Sequence, residues 1–436
     1  MLGAVLLVAA LTYLRCLGNG FVFDDQNLIV HNSAIGQWSF LWKSLTRDEY
    51  WFTNLGYVTR SRYRPLLLVW FWLNYHIFGL SPAGWHATAV AVHLVAVWMV
   101  FKVALRLTED RQASLLAALL FALTPVHAQA VVWITALGVV FSTALGLAAF
   151  YLFTRRAEAW WRNWSAALAL CAGSLLSHDS ALVFPGLVSL YSFLYETDGP
   201  RAAPGPMSVW ARIRGALLSG APFAIEVLLY LVVRWLVLGF VVTGSAHPPN
   251  SLSNAQAMLT LPGVLVTYLV MLAVPWLAGP DHRVLVVQSP TSAWFYLPVA
   301  GLVALGGVFL VALRNHPRRR LYLFCAGWVG VALLPMMDLK VLYQLVSDTY
   351  LYLPSVGWCV LLGDWVVRFA PQERVRATRR LHGHGCTAGD LRGCALERAA
   401  RLARRFDALQ RIPSKRSLSR QIGECCSGSG SPSAAI

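Results

Sequence analysis

The sequence predicts an all-α, polytopic membrane protein: a helical bundle with about ten crossing helices and two segments lying at the interface. Three observations carry this. Mean hydropathy is +0.56. Only 13% of the 436 residues are charged. Apolar runs recur at the length needed to cross roughly 30 Å of hydrocarbon, about 17–25 residues.

The long runs are 2–18, 84–106, 130–153, 216–240, 292–313 and 350–368, and shorter ones lie at 112–129, 164–178, 180–195 and 320–336. Barrel strands would be shorter and would alternate, so helices are expected. The first run has no basic start and the chain stays apolar after it, so it reads as a retained helix rather than a signal peptide. The formal net charge of +16 points to topology rather than to nucleic acid, because its basic residues sit in short loops (106–112, 154–163, 201–214, 314–320) and in the tail. Placing all of these in the cytoplasm puts both termini inside. It also requires 63–80, YRPLLLVWFWLNYHIFGL, to lie at the interface, with its Trp, Tyr and His at headgroup level. The same parity makes 261–278 a re-entrant or interfacial segment within an outer loop of 241–291. Residues 1–370 then form the membrane domain and 371–436 a basic cytoplasmic tail. The tail is largely disordered in composition, with one amphipathic stretch at 396–410 carrying Leu402, Phe406 and Leu409 on a stripe. The eight cysteines show no ligand spacing. Cys16, Cys171, Cys325 and Cys359 read as small hydrophobes, and Cys425 and Cys426 fall in a Ser/Gly-rich end.

This topology gathers the unusual ionisable residues at one membrane face, where a catalytic or transport cavity would need them. Asp24 and Asp25 follow the first helix in FVFDDQNLIV. One of two adjacent carboxylates can face a cavity while the other caps a helix or holds an arginine, and a carboxylate facing a hydroxyl can serve as general base. Asp25 is the favoured base and Asp24 the cap or arginine partner, because Asp24 lies nearer the membrane end. Two adjacent carboxylates alone are weak grounds for a metal, so a divalent ion stays open. Arg62 and Arg64 in TRSRYRP suit either snorkelling or a phosphate clamp. His86 and His93 share a helix face; His86 lies closer to the outer end. His127 and His178–Asp179 occupy corresponding turns between helices. Arg234, in YLVVRWLVLG, is the most deeply embedded arginine and needs a carboxylate or a lipid phosphate. Asp348 opens the last helix as a cap or as the holder of an arginine or a donor headgroup. No GxSxG, Walker A or dinucleotide glycine run accompanies these residues.

Four stretches in order, NGFVFDDQNLIVHN (19–32), YRPLLLVWFWLNYHIFGLSPAGWHATAVAVHL (63–94), LLAALLFALTPVHAQAVVWITALG (115–138) and LVSDTYLYLPSVGWCVLLG (345–363), resemble the membrane region of the transmembrane and tetratricopeptide repeat proteins. Those are polytopic protein O-mannosyltransferases of the GT-C structural class, and the likeness covers most of 10–368. The resemblance implies a GT-C-like bundle and a glycosyltransferase. A polyprenyl-phosphate-linked hexose, mannose above all, is the donor and thus a substrate rather than a cofactor. The acceptor hydroxyl belongs to a protein or a glycan, and the catalytic acid sits in the first outer loop. Carried over, that acid is Asp24 or Asp25; the outer histidines are His86 and His127, and the C-terminal acidic position is Asp348. The chain departs from the family pattern at His178–Asp179, where a Lys–Glu pair is usual, at Asp348, where Glu is usual, and in having no 34-residue repeat period after the membrane region. The implied location is a bacterial inner membrane or the endoplasmic reticulum membrane. The other function classes are a transporter or flippase for a lipid-linked sugar, which inverted repeats would favour, and a non-catalytic scaffold.

Overall fold

The computed structural model describes residues 1–53, 62–196, 208–239, 252–279, 281–337 and 345–369. Asp338, expected on the same outer face as Asp348, the amphipathic stretch expected at 396–410, Cys425, Cys426 and parts of the 201–214 and 241–291 loops lie outside them. The described residues are helical, joined by turns and by one stretch without regular secondary structure at 281–289, and Met1–Val367 forms one compact unit.

The helices are α1 (Leu2–Tyr13), α2 (Ser39–Thr46), α3 (Pro65–Phe78), α4 (Pro82–Thr108), α5 (Arg111–Leu123), α6 (Ala128–Val132), α7 (Leu137–Thr154), α8 (Trp160–Ser177), α9 (Phe184–Tyr195), α10 (Val209–Leu238), α11 (Asn254–Ala273), α12 (Ala293–Leu313), α13 (Arg319–Leu333) and α14 (Pro354–Phe369). Local chemistry sets their ends. Glu109 takes a left-handed backbone to close α4, and Asp110 accepts from the amides of Gln112 and Ala113 to open α5, so two adjacent residues make the hairpin. α3, α4 and α9 start with proline in the first turn, where its missing N–H costs nothing. Ser253 and Gln256 form a reciprocal capping box on α11.

Among the described residues five helices are long and apolar enough to cross a membrane: Pro82–Thr108, Ile134–Thr154, Val209–Leu238, Asn254–Ala273 and Ala293–Leu313; the bent pair Arg111–Leu123 and Pro125–Val132 makes six if counted as one span. The protein is therefore all-helical and multi-pass, with fewer full-length spans among the described residues than the ten expected. Sequence windows run across turns, whereas α13 and α14 are helices of 15 and 16 residues. At 1.5 Å per residue, 16 residues reach about 24 Å. The 261–278 segment also differs from its reading as interfacial. Its helix begins seven residues earlier, at Asn254 behind the capping box, and has the length and composition of a span.

The main core is built on α4, which packs against α5 and α7, with α8 on α7 and α10 on α8 and α9. A second apolar cluster joins Val264, Tyr268, Met271 and Leu272 of α11 to Val126, Val329, Leu333 and Leu351. α12 buries only Leu313 and exposes Val303, Leu305, Val308, Leu310 and Val311, as a lipid-facing helix does.

α14 is wedged between α5 and α13 because it carries glycine at both contacts. A Cβ on Gly363 would sit 2.6 Å from the Ala113 carbonyl and 2.9 Å from the Ala117 nitrogen; one on Gly357 would sit 2.7 Å from the Cys325 carbonyl. Small residues let membrane helices approach this closely. Gly363→Ala is therefore expected to lower the stability of the folded protein by about 1–3 kcal/mol, although alanine is the better helix former. Gly215→Ala, on a part of α10 with no atom within 4 Å of the added Cβ, serves as the control. Thermal unfolding of both in detergent should show a loss for the first and none for the second; equal midpoints would remove the close-packing account.

Candidate active site

The loop after α1 and the turns before α3 and after α8 carry a polar layer. Asp25 is fully buried and accepts the Val22 amide at 3.0 Å on one oxygen and the Thr135 amide at 2.9 Å on the other. Burial pushes its carboxyl above the ordinary range; the two amides pull the other way without cancelling the effect. The side chain thus staples the loop after α1 to the turn before α7. Asp24, one residue earlier, is the more exposed of the two. Its carboxylate is 38% exposed, accepts from the Tyr50 hydroxyl at 3.1 Å, and lies 3.8 Å from the Arg62 guanidinium, which also donates to Tyr50 at 3.3 Å. The two aspartates are set differently. Asp25 is the one with both oxygens committed to backbone, and Asp24 is the one that is open.

Behind Arg62 the network goes deeper. Glu49 is 1% exposed and lies 3.8 Å from Arg64, which is 3.6 Å from Asp179. Asp179 in turn binds Arg234 at 2.6 Å and the Tyr230 hydroxyl at 2.9 Å, and Tyr230 also reaches the Tyr63 carbonyl at 3.0 Å. Three carboxylates (Asp24, Glu49, Asp179) therefore face three guanidiniums (Arg62, Arg64, Arg234). Burial alone would raise the Asp179 carboxyl, but Arg234, Arg64 and His178 outweigh it and hold it below the ordinary carboxylate range. At Glu49 burial wins over Arg64 and Arg62, with Asp24 and Asp179 adding to it, and the carboxyl is pushed up. Burial and then Arg64 push the His178 imidazole well below its usual value, and its Nδ1 accepts the Ser180 amide at 3.1 Å.

The remaining expected residues are placed elsewhere. His86 is buried at the start of α4 against the backbone of Asn19 and Gly20. His127 is fully buried, 2.8 Å from the Ser355 hydroxyl, and packs on Phe121 and Tyr352. His93 joins the same aromatic box through the Tyr352 hydroxyl at 2.7 Å. Asp348 pairs with His282 at 2.6 Å and accepts the Gly279 amide at 2.9 Å; burial raises its carboxyl against the pull of that histidine and amide. Asp348 opens the turn that places Tyr350 near Arg62 and Arg64.

Sequence reasoning missed Glu49, Tyr50, Tyr230 and His282. Three of these had a signal: Glu49 and Tyr50 belong to a second acidic run, TRDEYW, in the same loop as Asp24, and Tyr230 lies one turn from Arg234 on the same helix face. Among the described residues no three His, Cys, Asp or Glu side chains converge as metal ligands.

No family model matches the chain. Curated relatives do. It is 31% identical over 206 residues to the protein O-mannosyl-transferase Tmtc1 of Drosophila melanogaster, covering 46% of this chain and 24% of the relative. It is 24% identical over 362 residues to a protein O-mannosyl-transferase of Caenorhabditis elegans (81% and 49%), and 27% identical over 415 residues to the human protein O-mannosyl-transferase TMTC4 (81% and 54%). The resemblance to the transmembrane and tetratricopeptide repeat family therefore holds along the membrane region. The chain spans about half the length of the relatives it matches most fully.

Asp179 gives a sharp stability test. A carboxyl whose pKa is lowered by folding contributes stability that is complete above the unfolded value, about 3.9, and is lost as pH falls through the folded value. Asp179→Asn takes the carboxylate from a guanidinium that is only 7% exposed, so a loss of about 3 kcal/mol is expected at neutral pH. The gap to wild type should stay constant from neutrality to about pH 4 and narrow only below it. A gap that closes between about pH 7 and pH 5 would assign the effect to another group.

Proposed function

We propose that this chain is the membrane region of a glycosyltransferase that moves a hexose, mannose foremost, from a polyprenyl-phosphate donor to a hydroxyl acceptor, a protein serine or threonine above all. The observation that carries the reading is the Asp24–Tyr50–Arg62 constellation. An open carboxylate and an open guanidinium 3.8 Å apart stand at the surface of a buried ion network, in a chain whose relatives are named protein O-mannosyl-transferases.

In this reading the acceptor oxygen attacks the anomeric carbon of the donor. The bond from that carbon to the phosphate oxygen breaks, the acceptor proton passes to Asp24, and the electron pair leaves with the polyprenyl phosphate. Arg62, backed by Arg64, neutralises the charge that grows on the leaving phosphate, the point at which preorganised donors are most effective. Arg234 and Tyr230 act one step back: they fix Asp179, which holds Arg64. The lipid carrier arrives from the bilayer, and the sugar and phosphate stand at the polar end of the bundle.

Purified protein assayed with labelled polyprenyl-phosphate mannose and a serine/threonine peptide pool tests this. Asp24→Asn should lower turnover at least about 10²-fold with donor affinity nearly kept, because proton removal belongs to the transition state. Arg62→Lys should raise the donor KM about tenfold, since a point charge replaces a two-pronged donor. Asp25→Asn should cost about 1–3 kcal/mol of stability, because one backbone amide loses its carboxylate oxygen. Donor consumption with no sugar on any acceptor, or lipid-linked sugar moved across the bilayer intact, would defeat the transferase reading in favour of hydrolysis or transport.

A further inference from the structure

Phe23, the residue before Asp24, breaks two rules at once. Its backbone sits at φ +48°, the left-handed region, one of two non-glycine residues described there; and its ring is 75% exposed. A bulky aromatic side chain at positive φ is a true outlier, and such strain persists only where the surroundings impose it. Here they do. The Asp25 carboxylate binds the amide of Val22 on one side of Phe23 and that of Thr135 across the gap. The loop is thereby drawn against the turn before α7, and the Phe23 ring meets the Trp133 ring at 5.7 Å and 63°. Trp133 is only partly buried, and its indole N–H finds no acceptor among the described residues. Contact with lipid alone would need neither the strain nor the fixed partner, and a loop with no task for the ring would place glycine or asparagine at this position.

Building on the transferase reading, we propose that Phe23 and Trp133 form an aromatic platform for the pyranose ring of the sugar, next to the Asp24 carboxylate. The C–H-rich face of a hexose packs on the electron-rich face of an aromatic ring, whereas its hydroxyls need polar partners at the edge. Phe23 offers the open face, and its chain neighbour Asp24, with Tyr50 and Arg62 bound to it, supplies the polar edge. Asp25 is then a positioning residue for the platform as well as for Asp24.

Saturation-transfer NMR on the full chain in nanodiscs, with methyl α-mannopyranoside as the probe, separates this from the alternatives. The wild type is expected to saturate the ring protons of the glycoside. Phe23→Gly and Phe23→Leu should weaken that binding at least about fivefold, and Phe23→Tyr should keep it. Phe23→Gly should unfold at the same temperature as wild type or higher, since glycine accepts the left-handed backbone. Loss of binding in that variant therefore cannot come from misfolding. Glycoside binding unchanged in Phe23→Gly, full binding in Phe23→Leu as for a lipid-inserted side chain, or no binding to wild type would each overturn the platform. The donor assay above is independent of this probe: a wild type that binds the glycoside but transfers nothing would defeat the transferase and leave the platform standing.

Discussion

The carboxylate of Asp179 is the constraint on which the polar end of this protein depends. It comes from the turn after α8, yet it holds Arg234 from the end of α10, Tyr230 one turn earlier, and Arg64 from the entry to α3. Each of those groups is expensive to leave unpaired in a low-dielectric setting, and each is satisfied by the same side chain. Tyr230 extends the tie to the Tyr63 carbonyl, so the segment before α3 is fixed by backbone as well as by charge. Three-to-three matching of acids and guanidiniums lets this much charge be concentrated at the end of an apolar bundle.

The far end of the bundle solves the same problem with separate pairs. Arg318 donates to the Thr108 carbonyl at 3.0 Å and stands 3.9 Å from Asp364, which accepts from Tyr322 at 3.1 Å. Arg106 holds the Thr154 carbonyl, and Arg156 pairs with Glu196. These contacts tie one turn to the next and close helix ends, where basic side chains complement unpaired carbonyls. At the Asp24 end the described charges join into one network with an open edge, which is what marks it as the candidate site.

The sequence disclosed the class of this fold and much of the cast of the site. Apolar run length and basic loops are set by the bilayer itself, so they can be read without a structure. Arg234 announced that it needed a carboxylate, because an embedded guanidinium without one is costly, and Asp179 meets that need. What could not be read was direction. Asp24 and Asp25 are chemically identical and adjacent; only the Val22 and Thr135 amides, the latter 110 positions away, decide which one turns inward. His127 and His178 looked alike as turn histidines, yet one lies inside an aromatic box and the other against the ion network. His282 carried no signal at all, since its partner Asp348 is 66 positions distant.

In the transferase reading proposed above, two neighbours of the same chemistry do different work. A general base must be open, and it must be held at a fixed angle to a cation that manages the leaving group. One residue cannot supply both the exposed carboxylate and the buried anchor that fixes its backbone. With two adjacent aspartates the loop divides the roles: Asp25 spends both oxygens on amides, and Asp24 keeps its own for Tyr50, Arg62 and whatever enters. The strained backbone of Phe23 follows from the same staple, because drawing Val22 and Asp25 together leaves the two residues between them little choice of conformation. The acidic pair is therefore better understood as a loop-shaping device that presents one carboxylate than as two candidates for the same task.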